Sequence, residues 1–157
     1  KEPSQADLIR KRLMTVQMLM YASPGYLERF GTPQRMEDIE HHRLVCQNTT
    51  SAQVSSAAAV VRELMTYNPQ SLLTVNNYFG VLQGVLHDLG IGVLPDYVTE
   101  DFPELVQVFP DHDPGDVPVY LAYPEELRHS RRIQAFRDFV QEEIIAHRKH
   151  LRELGKL

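Results

Sequence analysis

Short apolar runs separated by turn residues recur along the chain and predict alternating strands and helices. The run from Thr15 to Ala22 predicts a buried strand, and a short helix follows in which Ser23 is the N-cap and Gly31 marks the end. Five more runs predict strands, at 43–47, 71–75, 91–95, 105–109 and 117–123. The remaining segments predict a short helix at 36–41, a helical turn at 96–101, and either a helix or a strand at 52–70.

Two segments have the period of an amphipathic helix. The first follows Asn76 or Asn77 as its N-cap and continues to Leu89, with Gly90 predicted as a left-handed C-cap. Because this helix lies between two predicted strands, it indicates a right-handed parallel unit, and the fold class is α/β. The second helix begins after Ser130 as its cap, and its apolar positions are Ile133, Phe136, Val140 and Ile144.

Composition predicts one soluble globular domain and excludes several classes of protein. Hydrophobic residues make up 43% of the chain and charged residues 24%. The formal net charge of -5 argues against a nucleic-acid surface, which needs clustered Lys and Arg. The single cysteine, Cys46, rules out an internal disulfide and fits a reducing cytoplasm, and no apolar run is long enough to span a bilayer. The chain begins without Met and without an export signal, so we expect a fragment of a longer gene product.

Candidates for catalysis, metal binding and nucleotide binding are better explained by structural roles. Ser23 and Cys46 lie near turns without a readable base, so we expect a helix cap and a buried side chain. His147 and His150 share a helix face without a third ligand, and no metal site is predicted. The Gly90-Ile91-Gly92 stretch follows a helix, whereas a dinucleotide-binding motif precedes one. We therefore expect no enzymatic activity and no cofactor.

Polar residues follow two of the predicted strands. Gln47 and Asn48 follow one strand, and Asn76, Asn77 and Tyr78 follow another. In open parallel sheets, ligands bind beyond the carboxyl ends of the strands, so these residues are candidates for ligand binding in one cleft. The alternative is that the Asn residues only cap helices, because capping alone explains Asn at such positions.

Three groups of motifs, in order along the chain, carry a family resemblance. The first comprises Ala22-Ser23-Pro24-Gly25-Tyr26-Leu27, Gly31-Thr32-Pro33 and the stretch from Glu37 to Arg43. The second comprises Val75-Asn76-Asn77, Gly84 through Leu89, and Gly90-Ile91-Gly92-Val93-Leu94-Pro95. The third comprises Val119 to Pro124, Ser130 and the helix from Ile133 to Val140. Together they resemble the effector-binding domain of LysR-type transcriptional regulators, with Asn77 in place of the usual Asp and Arg131 in place of the usual Pro.

The resemblance implies a type II periplasmic-binding-protein fold, in which two α/β lobes are joined by two crossing strands. Residues 1–21 would be the end of the first lobe and the first crossover, and 22–118 the second effector-binding lobe. Residues 119–157 would form the return crossover strand and a C-terminal helix that packs on the first lobe. Most of that first lobe would lie upstream of Lys1.

The resemblance also implies a function. The chain would be the ligand-sensing domain of a cytoplasmic transcriptional regulator, with Asn76, Asn77 and Tyr78 facing the cleft and Gln47 and Asn48 as weaker candidates. The asparagines would suit a polar or carboxylate effector, as would Arg12 near the first crossover. Ligand binding between the lobes would alter the arrangement of the DNA-binding heads.

The resemblance further implies a homodimer or tetramer, in which the helix from Tyr78 to Leu89 contacts a partner chain. DNA would be bound only through a winged helix-turn-helix upstream of this chain, and no membrane contact is expected. The alternative from another functional class is an extracytoplasmic solute-binding protein of the same fold. A signal peptide upstream would favour that alternative, and a helix-turn-helix would exclude it.

Overall fold

The computed structural model describes residues 8–48, 55–113 and 116–153. Strands occupy β1 Leu8–Ala22, β2 Arg43–Gln47, β3 Ser71–Val75, β4 Ile91–Pro95, β5 Val106–Val108 and β6 Asp116–Pro124. Helices occupy α1 Pro24–Phe30, α2 Ser55–Met65, α3 Tyr78–Leu86, α4 Val98–Asp101 and α5 Arg131–Glu153, with 3-10 helices at Met36–His41 and Glu125–Leu127. Every predicted strand is present, and the ambiguous region contains a helix. The first strand begins at Leu8, seven residues earlier than the apolar run that predicted it.

The strands form one mixed sheet in the order β3-β2-β4-β1-β5, and β6 also pairs with β1. Strand β2 pairs in parallel with β3 on one side and with β4 on the other. Strand β1 pairs antiparallel with both β4 and β5. The strands on either side of α3 are therefore parallel in direction, as predicted, but β2 lies between them.

The chain divides into two compact units. One comprises Val16–Val117, and the other comprises the described residues up to Thr15 together with Pro118 onwards. In the second unit, Lys11 Nζ donates a hydrogen bond of 3.0 Å to Oε1 of Gln141 on α5. Helix α5 begins directly after Ser130, as predicted, and leaves Phe136, Phe139 and Ile145 exposed. Among the described residues, no helix is both long enough and apolar enough to cross a membrane.

The unit from Val16 to Val117 buries both faces of the central strands of its sheet. One face and the elements that cover it share a cluster that comprises Met20, Ala22, Tyr26, Ile39, Leu44, Cys46, Val60, Leu64, Ile91, Val93, Val108 and Phe109. The other face has a second cluster that comprises Tyr21, Val45, Val81, Leu82, Val85, Leu94, Val98 and Leu105. Because side chains alternate along a strand, successive residues of β2 join opposite clusters. The central strands are therefore apolar throughout, as expected for strands covered on both faces.

Helix α3 lies very close to the sheet. A Cβ on Gly84 would lie 2.8 Å from Cγ1 of Val45, and a Cβ on Gly92 would lie 2.5 Å from Cγ2 of Val85. Such distances are shorter than any ordinary contact between carbon atoms, so both positions require glycine for this packing. Gly92, the second glycine of the Gly-x-Gly stretch, therefore serves the contact between helix and sheet.

The N-terminus of α1 is capped as predicted. The Ser23 hydroxyl accepts a hydrogen bond of 3.2 Å from the backbone N–H of Tyr26, and Pro24 occupies the first turn, where its missing N–H costs nothing. Ser23 also donates to Asp88, and Arg29 donates to the other oxygen of the same carboxylate. The motif at 22–27 thus attaches α1 to the chain segment that follows α3.

The end of α3 contradicts the predicted C-cap at Gly90. The helix ends at Leu86, and the left-handed residue is Asp88, with φ of 58°. The Leu89 N–H donates to the Gly84 carbonyl and the Asp88 N–H to the Val85 carbonyl, which is the Schellman arrangement. Asp tolerates this conformation, and its carboxylate is held by α1. Gly90 has another role, because a Cβ there would lie 2.5 Å from the carbonyl oxygen of Arg43.

Candidate functional site

The three parallel strands of the unit Val16–Val117 end at one edge of the sheet. In the register of the sheet, Gln47 pairs with Val75 and Val45 pairs with Gly92. Strands β2, β3 and β4 therefore end at similar positions along the strand direction. All five candidate residues from the sequence lie directly after, or at the end of, β2 and β3 at this edge. We call this set, together with the residues that follow β4, the carboxyl edge.

Backbone and amide groups connect the ends of β2 and β3. Gln47 Nε2 donates a 3.4 Å hydrogen bond to the carbonyl oxygen of Asn76, and the Asn48 N–H donates to the Val75 carbonyl at 2.7 Å. The Asn76 side chain accepts a 2.7 Å hydrogen bond from Nδ2 of Asn77. These contacts hold the polar groups of the two strand ends together.

Asn77 is the N-cap of α3. Its backbone is extended, and its Oδ1 accepts a 2.8 Å hydrogen bond from the Gly80 N–H. Capping alone is enough to explain why Asn stands at this position, which was the alternative to ligand binding considered from the sequence. The Nδ2 group contacts Asn76, and the side chain as a whole is exposed. Asn77 therefore orients the start of α3 while remaining accessible to a ligand.

Two tyrosines lie near each other at the carboxyl edge. Tyr78 is the first residue of α3, and Tyr97 is the second residue after β4. Burial raises the pKa of Tyr97, and the neighbouring Tyr78 raises it further. Tyr97 was not among the candidates from the sequence, although it follows a predicted strand in the same way as Asn76 and Asn77 follow β3.

Asp96 lies beside Tyr97 and was also missed. Its backbone N–H donates a 2.9 Å hydrogen bond to the Gln17 carbonyl, and its Oδ1 accepts from the Tyr97 N–H at 3.1 Å. Burial raises the pKa of Asp96, hydrogen bonds from the backbone N–H groups of Gln17, Tyr97 and Asp96 to the carboxylate oppose this shift, and the charge of Asp116 adds to it. The carboxyl edge thus combines amides, phenols and a partly buried carboxylate.

Other candidate groups have structural roles or lie elsewhere. Cys46 is buried in the core, as predicted, and burial raises the pKa of its thiol to about 11. Arg12 belongs to the other unit, where its guanidinium donates to the Thr15 hydroxyl. Over residues 8–48, 55–113 and 116–153, no group of three His, Cys, Asp or Glu side chains could hold a metal ion. The side chains of His147 and His150 lie outside those that the structure describes.

Sequence comparison identifies the family. The LysR substrate binding domain model matches residues 1–144. The chain belongs to this LysR domain family. The resemblance drawn from the three groups of motifs is therefore confirmed.

Two curated relatives of this LysR domain are HTH-type transcriptional regulators. An uncharacterized regulator of Haemophilus influenzae is 27% identical over 122 residues, which cover 76% of this chain and 42% of the relative. The regulator YhjC of Escherichia coli is 28% identical over 134 residues, which cover 82% of this chain and 45% of the relative. The LysR domain thus spans less than half the length of these relatives, which are described as regulators and not as enzymes.

Solved structures share the fold of this LysR domain. The regulatory domain of CrgA from Neisseria meningitidis superimposes with a TM-score of 0.75 at 20% identity, over 92% of this chain and 72% of that chain. The regulatory domain of CcmR from Synechocystis PCC6803, solved in complex with 2-PG, gives a TM-score of 0.65 at 15% identity, over 92% of this chain and 70% of that chain. The predicted α/β fold of the type II periplasmic-binding-protein class is therefore confirmed.

Proposed function

We propose that this LysR domain senses a small polar molecule for a bacterial transcriptional regulator and binds that molecule at the carboxyl edge. The observation that carries the proposal is the convergence of Gln47, Asn48, Asn76, Asn77 and Tyr78 at one end of three parallel strands. Open parallel sheets bind ligands at this end, where helix N-termini and strand ends present polar groups. The regulator relatives support a sensing role over a transport role.

The proposed mechanism is a shift between populations of conformations. A ligand that binds one arrangement of the lobes more tightly than another shifts the protein toward that arrangement. In the complete protein, this shift would change how DNA-binding heads are spaced, which couples the ligand to DNA. The winged helix-turn-helix that contacts DNA would belong to the longer protein, because the net charge of this chain is -5.

The proposal assigns a role to each part of the chain. Residues 22–118 form the second effector-binding lobe, and 1–21 form the end of the first lobe and a crossover. Residues 119–157 form the return crossover and the helix that packs on the first lobe. The exposed Phe136 and Phe139 on α5 support this last assignment, since such side chains are normally covered in the complete domain.

A homodimer or tetramer is part of the proposal, with α3 as a contact surface. Phe79 on α3 is 61% exposed, and the neighbouring edge strand β3 carries exposed Leu72 and Leu73. An exposed apolar edge strand normally pairs or is covered in a stable assembly. Replacing Phe79 with Glu should lower the oligomeric state of the complete protein in sedimentation velocity, whereas the same change at exposed Val119 on β6 should not.

Catalysis is not part of the proposed function. Ser23 is engaged as a cap and by Asp88, and Cys46 is buried with a raised pKa, so neither is an activated nucleophile. We also disfavour an extracytoplasmic solute-binding protein, because the relatives named above are transcriptional regulators. A cytoplasmic location follows from that role.

The first test is a thermal-shift screen of the complete protein against small organic acids, amino acids and neutral polar metabolites. A ligand that binds only the native state raises the melting temperature. The same ligand should also raise the melting temperature when the protein is bound to operator DNA. Failure of all compounds in a well-folded sample would count against small-molecule sensing.

The second test replaces Asn77 with Ala and, as a control, with Ser. Ser retains an N-cap oxygen, whereas Ala removes both the cap and the exposed amide. For a ligand found by the screen, we expect Ala and Ser to weaken binding alike, while only Ala lowers the melting temperature of the ligand-free protein. Operator binding should persist in both variants. Unchanged ligand affinity in both variants would reject Asn77 as a binding residue.

A further inference from the structure

We propose that this LysR domain has a second binding site, formed by the start of β1, the end of β6 and the start of α5, which binds an organic oxyanion through Arg128 and Arg137. The oxyanion is a carboxylate or a phosphate group on a small carbon skeleton. The carboxyl edge belongs to the other compact unit, so this proposal goes beyond the sensing function and stands independently of it.

A cavity of about 480 Å³ marks the site. All of its lining residues belong to the unit that contains the described residues up to Thr15 and those from Pro118 onwards. Small-molecule sites typically measure about 300–1,000 Å³, so the volume fits an organic ligand and exceeds what a single inorganic ion needs. The side chains on which the proposal depends are Ile9, Tyr123, Arg128, His129, Gln134 and Arg137.

The cavity lies on the side of α5 that faces β1. Side chains on an α-helix turn by about 100° per residue, so Arg137 and Gln141 share one face. Gln141 accepts the hydrogen bond from Lys11 of β1, which places that face against the strand. Phe139 is 59% exposed and lies two positions from both Arg137 and Gln141, about 200° around the helix. The cavity is therefore separate from the exposed apolar side of α5.

The two arginines retain donors for a ligand. Arg128 donates from Nη1 to Glu125 at 3.1 Å, which uses one of the five N–H groups of its guanidinium. Arg137 directs Nε and Nη2 at Oδ1 of Asp138, at 2.8 and 2.7 Å, and neither contact involves Nη1. Ion pairs between exposed side chains contribute little to stability, so a ligand can compete with them. Guanidinium groups bind carboxylate and phosphate oxygens through two parallel hydrogen bonds.

The other lining groups suit the same class of ligand. The Gln134 amide, the His129 ring and the Tyr123 hydroxyl can each donate a hydrogen bond. Ile9 and the buried Tyr123 ring offer apolar surface to a carbon skeleton. Glu125 also lines the cavity and would repel an anion, but its carboxylate is already paired with Arg128.

The distribution of charge favours an anion in this unit. Residues 8–15 and 118–153 contain ten Lys and Arg against six Asp and Glu. Residues 16–117 contain four Lys and Arg against thirteen Asp and Glu. The negative net charge of the chain therefore comes from the unit that contains the carboxyl edge. The unit with the cavity is positively charged and attracts anions.

The test uses three probes that share a ring: benzoate, phenyl phosphate and the neutral benzamide. Their binding to the complete protein is measured by titration calorimetry. We expect at least one of the two anions to bind about tenfold more tightly than benzamide, because only an anion gains a charge-assisted contact with the arginines. The tighter of the two anions identifies the oxyanion as a carboxylate or a phosphate.

Matched variants locate the bound anion. Arg137→Gln removes the guanidinium from the cavity and should weaken the preferred anion by about tenfold or more. Arg132→Gln removes the same charge from an exposed position on α5 outside the lining and should have a much smaller effect. Asn77→Ser, at the carboxyl edge, should leave affinity for this anion unchanged. The melting temperature of each variant without ligand reports on its folding.

Four outcomes would overturn the proposal. Equal binding of benzamide and both anions would reject the oxyanion as the ligand class. Equal losses in Arg137→Gln and Arg132→Gln would assign the effect to overall charge and reject a built site. A loss in Asn77→Ser without one in Arg137→Gln would place the anion at the carboxyl edge, which supports the proposed sensing function and rejects the second site. If neither anion binds, the second site is rejected, and the thermal-shift screen decides separately whether small-molecule sensing survives.

Discussion

The hydroxyl of Ser23 donates a 2.6 Å hydrogen bond to Oδ1 of Asp88, and this contact joins the start of α1 to the end of α3. The Ser23 oxygen also caps α1. Asp88 in turn has the left-handed conformation that ends α3, and Arg29 donates to its second oxygen at 2.7 Å. Hydrogen bonding to Ser23 and Arg29 lowers the pKa of the Asp88 carboxyl. One pair of residues therefore sets the boundaries of two helices.

We expect Ser23→Ala to lower the free energy of unfolding by about 1–2 kcal/mol, because it removes a cap and a buried hydroxyl contact. Asp88→Ala should also destabilise the protein. Since the two residues contact each other, the double variant should lose less than the sum of the single losses. Urea denaturation of the four proteins measures this coupling. Strict additivity would show that the hydrogen bond contributes nothing to stability.

Close packing of α3 gives a second prediction. In Gly84→Ala, the new methyl group would meet Val45, so the variant should lose about 1–3 kcal/mol of stability through overpacking. Val45→Ala removes the obstructing methyl groups and should partly rescue Gly84→Ala. Gly90→Ala is the matched control, because its obstacle is the backbone carbonyl of Arg43, which Val45→Ala cannot remove. Equal rescue of both glycine variants in thermal denaturation would contradict this explanation.

A buried polar cluster gives a prediction about pH. The Tyr26 hydroxyl accepts a 2.8 Å hydrogen bond from the Arg43 N–H and lies 3.2 Å from Nδ1 of His42. The hydroxyl proton is then available for Nδ1, which fits a neutral imidazole. Burial lowers the pKa of His42 from its usual 6.5, and the charge of Asp38 opposes this shift.

The lowered pKa means that the unfolded chain binds a proton at His42 more readily than the folded chain does. The contribution of His42 to the free energy of unfolding is complete above about pH 6.5. It is lost as the pH falls from there toward the pKa of His42 in the folded state. Urea midpoints measured between pH 8 and pH 5 should fall with pH. His42→Asn, which retains an acceptor near the position of Nδ1, should reduce this slope. His41→Asn, at the exposed neighbour whose charge acts on His42, should change the slope much less than His42→Asn does, and the reverse pattern would refute the assignment.

The lone cysteine gives a prediction about reactivity. Cys46 is 3% exposed, and burial raises the pKa of its thiol to about 11 from the usual 9.0. At pH 8, the thiolate fraction is about a hundredfold lower than in the unfolded chain, and access is blocked as well. Iodoacetamide should therefore modify the native protein at least about a hundredfold more slowly than the protein in urea. With only one cysteine, mass spectrometry counts the modification directly, and rapid labelling of native protein would show that the core opens.

Local sequence patterns determined most of the elements of this protein. Strands appear at the short apolar runs and helices at the longer periodic segments, because burial of one face or both is a local property of side-chain spacing. Caps such as Ser23 and Asn77 were also predictable, since a cap needs only its own following turn. The three groups of motifs were enough to identify the LysR family. The candidate residues at the ends of β2 and β3 followed from a general rule about parallel sheets.

Contacts between distant segments were decided only by the tertiary structure. Gly90 was predicted to end α3, but Asp88 takes that role because Ser23 and Arg29, from another part of the chain, hold its carboxylate. Tyr97 was missed because its proximity to Tyr78 depends on α3 and α4 packing on the same face of the sheet, and such packing is not a local property. The sequence by itself therefore determined the elements, most of their caps and the family. The residues that hold the end of α3, and the proximity of Tyr78 and Tyr97, depend on the three-dimensional arrangement of the strands and helices.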